Sequence, residues 1–404
     1  MILYDIIFLI FSIFYIPFSI YKKGFRSFNI KARMGFIPED VKSKLRSSEN
    51  IWIHAVSVGE IMLLGPFIES LKKEFPCRTV VISTTTNPGH EVAVRNFKDQ
   101  AVIVYSPLDL SFAVSRFLKI IKPKIFIVVE TEIWPNLIRV MKARGIPIVV
   151  INGRISNRSF KRYIMARPFL KSTLGRINLF CMQSEPDAER IISIGAPPDR
   201  IKVTGNMKFD IVITAGDRPD ITKGLLGLNE KDILMVAGST HKGEEDILLE
   251  AYKALSKDFK NLKLLIAPRH INRIPQIKKL TKNVQGVFLL DTIGQLKYFY
   301  SIADIVFIGG SLVPHGGQNP IEPAYFSKPI IFGPYMFNFK YISEILLKNT
   351  AAMEVKDKNG LEKAVSLLAD DPKKSKAMGF FAKKTLEENK GATARNVELI
   401  KGFL

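Results

Sequence analysis

Cysteine, tryptophan and histidine are scarce in this chain: 404 residues hold 2 cysteines, 2 tryptophans and 5 histidines. Cys77 and Cys181 lie in apolar, strand-like contexts. They suit buried thiols in a reducing compartment and exclude a disulfide framework or a zinc site. The histidines are scattered and form no H-E-x-x-H pattern. Neither the P-loop nor the dinucleotide glycine spacing occurs. No Asp-x-Asp is present, so a metal-bridged diphosphate is not indicated. Low-complexity tracts are absent. Acidic residues are outnumbered 38 to 59 by Lys and Arg, leaving a net charge of +21. That excess predicts acidic partners: nucleic acid, an anionic membrane or a phosphorylated substrate.

What is present begins with an apolar N-terminus. Asp5 is the only charge in residues 1–21, and eight Lys/Arg follow between 22 and 46. About 20 apolar residues can span a bilayer, and a basic flank marks the cytoplasmic side. The stretch therefore reads as an uncleaved membrane anchor; Pro17 and Asp5 keep a buried helix open as the alternative. From residue 51 onward, short apolar β-rich runs alternate with helical segments. The runs are 51–56, 79–84, 101–105, 124–129, 146–151, 178–183 and 201–204, then 233–237, 262–267, 287–290, 304–308, 329–333 and 350–354. Continuous apolar strands alternating with helices predict parallel sheets covered on both faces. The rhythm breaks between Asp210 and Asn229. The expected architecture is α/β: an anchor over 1–21, a Rossmann-like domain over 22–213, a linker over 214–230, and a second Rossmann-like domain over 231–404. The two doubly wound domains are expected to face a cleft, with the last helix packing back toward the N-terminal domain.

The most informative stretch is Gly309-Gly310-Ser311 through Asn319-Pro320-Ile321-Glu322. A strand, glycine loops and a helix N-terminus predict an anion site made of backbone N–H groups, with Glu322 able to hold ribose hydroxyls. Asn319 reads as N-cap and Pro320 as N1. Ser239-Thr240 and Arg269-His270 also follow strands and belong to the same predicted nucleotide monophosphate pocket.

Five motifs in the first half carry other chemistry. Ser57-Val58-Gly59-Glu60 ends a strand, and its spacing fits a catalytic carboxylate and a capping box equally well. In Ser83-Thr84-Thr85-Thr86-Asn87-Pro88-Gly89-His90, the hydroxyls fit sugar binding or a plain cap with Asn87 as N-cap and Pro88 as N1. Glu130-Thr131-Glu132 puts two carboxylates at a strand terminus, where Glu132 is expected to bind a hydroxyl or an arginine, or to serve as helix N-terminal charge. From Arg154 to Arg176 seven basic residues, Arg158 among them, run without an acid. That predicts a phosphate- or carboxylate-binding surface. Nucleic acid ranks below it, because the interleaved aromatics match no RNA-binding module. Lys208 stands before the expected linker, either to neutralise an acidic substrate or as a plain surface lysine.

In this order the motifs resemble the Kdo transferases of lipopolysaccharide synthesis, over essentially the whole chain. The resemblance implies a GT-B glycosyltransferase moving 3-deoxy-D-manno-octulosonic acid (Kdo) from CMP-Kdo to a lipid A precursor, with inversion. It implies Glu60 as general base. The donor would be held by Arg269, His270, Gly309, Gly310, Ser311, Asn319, Glu322, Ser239 and Thr240. Acceptor and Kdo would meet Ser57, Gly59, Glu132, Arg154, Arg158 and Lys208. No cofactor or metal is expected. The expected partners are CMP-Kdo, a phosphorylated lipid A precursor and anionic inner-membrane lipids, at the cytoplasmic face of the inner membrane, with no nucleic acid. The rival readings are a GT-B transferase using a UDP-sugar and a non-enzymatic binder of membranes or nucleic acid.

Overall fold

The computed structural model describes residues 4–5, 29–45, 49–211 and 221–404. The anchor expected over 1–21 therefore lies outside the described residues, apart from Tyr4 and Asp5. Among the described residues no helix is long and apolar enough to cross a membrane. Contacts divide the chain into one unit of Met1–Val212 plus Lys390–Leu404 and another of Ile213–Asn389.

The first unit is a seven-stranded sheet: β1 (Asn50–His54), β2 (Val80–Thr84), β3 (Val102–Tyr105), β4 (Pro123–Val129), β5 (Ile148–Gly153), β6 (Leu179–Met182) and β7 (Ile201–Val203). The order is β3-β2-β1-β4-β5-β6-β7, and every pairing is parallel. Alternate side chains of the apolar strands feed two cores, as the pleat requires. Trp52, Phe126 and Phe180 enter one, while Ile51, Ile53, Ile125 and Ile127 enter the other. The flanking helices follow the 3.6-residue period: Ser111–Ile121 buries Ala113, Val114, Phe117, Leu118 and Ile121. Asp5, the lone charge of the apolar N-terminus, accepts the Ser111 hydroxyl (2.6 Å) and the Asn136 amide (2.6 Å).

The helix Ala392–Lys401 belongs to this unit. Asp210 accepts the N–H groups of Gly391 and Thr393, each at 2.6 Å, and the Arg395 guanidinium donates to the Thr204 carbonyl at 2.8 Å.

The second unit has six strands: β8 (Ile233–Thr240), β9 (Leu262–Pro268), β10 (Val287–Leu289), β11 (Ile305–Ile308), β12 (Ile330–Phe332) and β13 (Ala352–Glu354). Their order is β10-β9-β8-β11-β12-β13, again all parallel. Both sheets are doubly wound. Each reverses direction between its first and fourth strands, β1/β4 in one unit and β8/β11 in the other. Beyond the carboxyl ends of those strands a crevice opens in such folds, and ligands bind there.

Cys181 is buried, which pushes its thiol up to about 12. Cys77 is exposed, contrary to the expectation that both thiols are buried. It sits in the exposed Pro76-Cys77 turn that precedes β2.

Candidate functional sites

At the switch point of the first unit, β1 delivers Ser57 and β4 delivers Glu130. Ser57 caps the helix Val58–Met62 and places Glu60 at its third position. The Ser57 hydroxyl donates to Glu60 Oε1 at 2.7 Å, and the Val56 N–H donates to Oε2 at 2.7 Å. The Ser57 cap is therefore real, with the Glu60 N–H donating to the Ser57 hydroxyl at 3.4 Å, but the return bond comes from the Val56 N–H and not from the Ser57 N–H of a full capping box. It does not use up the carboxylate's chemistry. Glu60 is only 7% exposed. Burial pushes its carboxyl up to about 7, and the charges of Glu130 and Glu132 push the same way against the two hydrogen bonds. Gly59 faces outward: a Cβ there would meet only the Ser57 hydroxyl, at 3.9 Å. A side chain would fit, so glycine is not demanded by packing and leaves the space over Ser57 open.

Three loops bring other groups to this carboxylate. Thr131 donates to the Arg154 carbonyl at 2.8 Å and accepts the Arg154 N–H at 3.1 Å, tying the end of β4 to the end of β5. Asn152 accepts the Met207 N–H at 3.0 Å, and Asn206 accepts the Lys208 N–H at 3.0 Å. These bonds set Lys208 near Glu130, Arg154 and Glu60, whose charges all act on it; burial lowers its ammonium pKa. Lys208 is therefore not a plain surface lysine. Burial also raises Glu132, with Glu130 adding to the rise. Glu130 and Asn152 both take left-handed backbone, φ 58° and 53°. Such conformations cost about 1–3 kcal/mol in non-glycine residues and concentrate at functional sites. Sequence reasoning noted the Glu130 carboxylate but gave neither Glu130 nor Asn152 a role in the site. A strand-end asparagine next to glycine, as in Asn152-Gly153, is a weak signal for such a bend.

Other expectations for this unit change. The hydroxyls of Ser83, Thr84 and Thr86 are spent internally. Ser83 accepts the Trp52 indole N–H at 2.8 Å and meets His54 Nδ1 at 3.0 Å, while Thr84 meets His90 Nδ1 at 3.0 Å. Thr86, not Asn87, is the N-cap, accepting the Gly89 N–H at 3.2 Å. Arg158 and its basic neighbours lie on the helices Asn157–Met165 and Arg167–Leu174. Arg158, Lys161, Arg162, Arg167 and Lys171 are exposed. Met165 and Phe169, 75% and 82% exposed, stand among them.

In the second unit, Ser239 and Thr240 end β8 and Gly309 follows β11. Gly309 is required by contact: a Cβ would run into the Ser239 carbonyl and the Thr240 backbone. Ser239 is left-handed, φ 56°. The anion cradle expected from Gly310 and Ser311 is already filled. Glu244, fully buried, accepts the N–H groups of Gly310 (2.6 Å), Ser311 (2.9 Å), Leu312 (2.9 Å) and His241 (2.8 Å). The Ser311 hydroxyl is also committed, accepting the Gly333 N–H at 2.7 Å and donating to the Ile308 carbonyl. Thr240 donates to Glu245 at 2.8 Å, and Glu245 pairs with Arg273 at 2.7 Å. Ser311 and Thr240 are thus held inside the protein.

The following helix starts at Ile321, with Pro320 as N-cap, and is 5 residues long. Asn319 is displaced from the expected N-cap position but still accepts the Ile321 N–H at 3.1 Å, and its amide donates to Glu322 at 3.3 Å. So short a helix has little dipole to offer. Burial raises the Glu322 carboxyl, with the Asn319 bond and Lys297 opposing. Arg269 and His270 are exposed. Three of the five histidines, far apart in sequence, meet here. His241 stacks on His315 at 4.2 Å and meets His270 edge-on at 5.7 Å. Burial, then His315, His270 and Arg269, lower His241 to about 4. Among the described residues no three His, Cys, Asp or Glu gather as a metal-ligand set.

Residues 29–211 match a family model described as 3-deoxy-D-manno-octulosonic-acid transferase (kdotransferase), and residues 218–385 match glycosyl transferases group 1. The chain is 36% identical to a 3-deoxy-D-manno-octulosonic acid transferase of Haemophilus influenzae, over 88% of this chain and 87% of that one. It is 31% identical to one of Chlamydophila psittaci, over 100% and 96%. Among solved structures, a Neisseria meningitidis UDP-GlcNAc 2-epimerase matches with TM-score 0.64 at 16% identity, covering 87% of this chain and 100% of that one. That likeness speaks for the fold alone.

Proposed function

The chain belongs to the Kdo transferase family of glycosyltransferases, and from that premise we propose that it moves Kdo from CMP-Kdo to a phosphorylated lipid A precursor, lipid IVA, with inversion at the anomeric carbon. The observation that carries the mechanism is Glu60: a nearly buried carboxylate at the β1/β4 switch point, held by Ser57 and Val56, with its pKa pushed up to about 7. A general base works best with a pKa near the working pH.

In this reading Glu60 takes the proton of the acceptor hydroxyl as the hydroxyl oxygen bonds to the anomeric carbon. The bond from that carbon to the CMP phosphate breaks with both electrons going to the phosphate. Charge builds on an oxocarbenium-like centre and on the leaving phosphate. Lys208 and Arg154 are cations suited to the sugar carboxylate. The second unit takes the nucleotide, with Glu322 and Asn319 at the ribose and Arg269 on the phosphate. The sequence holds no Asp-x-Asp for a bridging metal, so side-chain cations are assigned that role.

The exposed basic face of 157–174, with Met165 and Phe169 among its cations, is assigned to the acceptor's phosphates and to anionic inner-membrane lipid. Localisation to the cytoplasmic side of that membrane follows from the lipid substrate and the basic flank of residues 1–21.

Incubation with CMP-Kdo and the lipid precursor, followed by mass spectrometry, tests the reading. Product heavier by one or more Kdo units supports it and counts the sugars. No product, or UDP displacing CMP in competition, overturns it.

A further inference from the structure

Three successive amides, those of Gly310, Ser311 and Leu312, point into one hollow, with Gly310 in the left-handed region at φ 68°. Such a nest binds anions. Its occupant is part of the chain. Glu244 Oε2 takes the N–H groups of His241 and Gly310, and Oε1 takes those of Ser311 and Leu312. Two donors on each oxygen favour the carboxylate; burial raises its pKa, and the four N–H bonds pull the other way. The side chain is 0% exposed. The guanidinium of Arg273, which acts on it from a distance, is engaged by Glu245 instead.

A buried charge without a paired cation is costly unless hydrogen bonds repay it. Here four do, and they join the end of β8 to the loop after β11, the two sides of the switch point. A second anion in this hollow would meet a full negative charge at hydrogen-bond distance. Just outside it, Arg269, His270 and His315 are exposed around the His241 ring.

We propose that Glu244 is the resident anion of the Gly310–Leu312 nest and a positioning residue for the donor. It locks the loop, and the donor phosphate is met by Arg269 and the histidines around His241 rather than by these amides. This deepens the reading of the second unit as a nucleotide site.

Two measurements on the full chain test it. Amide hydrogen exchange resolved at Gly310, Ser311 and Leu312 should show protection of at least about 100-fold without nucleotide. Adding CMP should leave those amides unchanged. Rapid exchange in the free protein, with protection appearing only on adding CMP, would overturn the proposal. Glu244→Ala should weaken CMP binding about 10–100-fold, the worth of hydrogen bonds to a charged group. Formate, which restores a carboxylate to the hollow, should recover most of that loss, and it should do nothing for Glu322→Ala. Unchanged CMP affinity in a folded Glu244→Ala, or a loss that formate leaves untouched, would count against it. Should that variant fail to fold, exchange in the wild-type protein decides. A wild-type chain that binds no CMP would refute the donor assignment, while its nucleotide-free exchange would still test Glu244.

Discussion

The Ser57 hydroxyl and the Glu60 carboxylate hold each other, Oγ donating to Oε1 at 2.7 Å and accepting the Glu60 N–H at 3.4 Å. This cap fixes the rotamer of a carboxylate whose second oxygen is held by the Val56 N–H. In the proposed mechanism one motif would serve helix initiation and catalysis together, and substitutions can separate the two.

Glu60→Gln should cut transfer to the lipid precursor by about 10²–10⁴, the usual worth of a general base. CMP affinity and melting temperature should stay near wild type, because an amide keeps one acceptor for the cap. Steady-state kinetics beside calorimetric CMP titration checks this. Full activity in the variant would remove Glu60 from the mechanism.

The pH profile follows from the same group. A base acts when deprotonated, and burial places Glu60 at about 7. The rate should therefore fall on the acid side, by about tenfold per pH unit below that value. Glu130 and Glu132 help to raise it, so Glu130→Gln should move the acid limb to lower pH. A limb that stays put in Glu130→Gln would mean another group titrates.

Glu322→Ala should raise the donor KM with kcat largely spared, because Glu322 is assigned to the ribose and not to proton transfer. The contrast with Glu60→Gln is the measurement. If both variants merely raised the donor KM, the division of labour would be wrong.

Combined Arg158→Gln, Lys161→Gln and Arg162→Gln should weaken binding to vesicles containing anionic lipid, each cation near the surface being worth about 1 kcal/mol. Sedimentation with and without added salt reads this out, and CMP affinity should not change. Equal binding of wild type and triple variant would leave the basic face without a role.

Gly309→Ala should destabilise the second unit by about 1–3 kcal/mol, the usual cost of overpacking. The new methyl would strike the Ser239 carbonyl between β8 and β11. Chemical denaturation gives the number directly. A neutral effect would show that the two strand ends can part.

The strand positions and the doubly wound class were readable because a strand buried on both faces must be apolar along its length, as in Ile125–Val129 and Leu264–Ala267. Ser57 as the N-cap of the Glu60 helix was equally plain, since a cap is a matter of spacing along one chain. What could not be read was who meets whom. Gly310 and Ser311 look like a vacant anion cradle in one dimension. Glu244, 66 residues upstream of Gly310, looks like ordinary first-turn charge beside Glu245 and Asp246. Only the parallel pairing of β8 with β11 brings that carboxylate to those amides, and the anion that fills the nest is the protein's own. The histidines show the same limit. His241, His270 and His315 follow different strands or loops, and no periodicity relates them. Their meeting depends on which strands become neighbours, a choice made by the packing of the whole sheet.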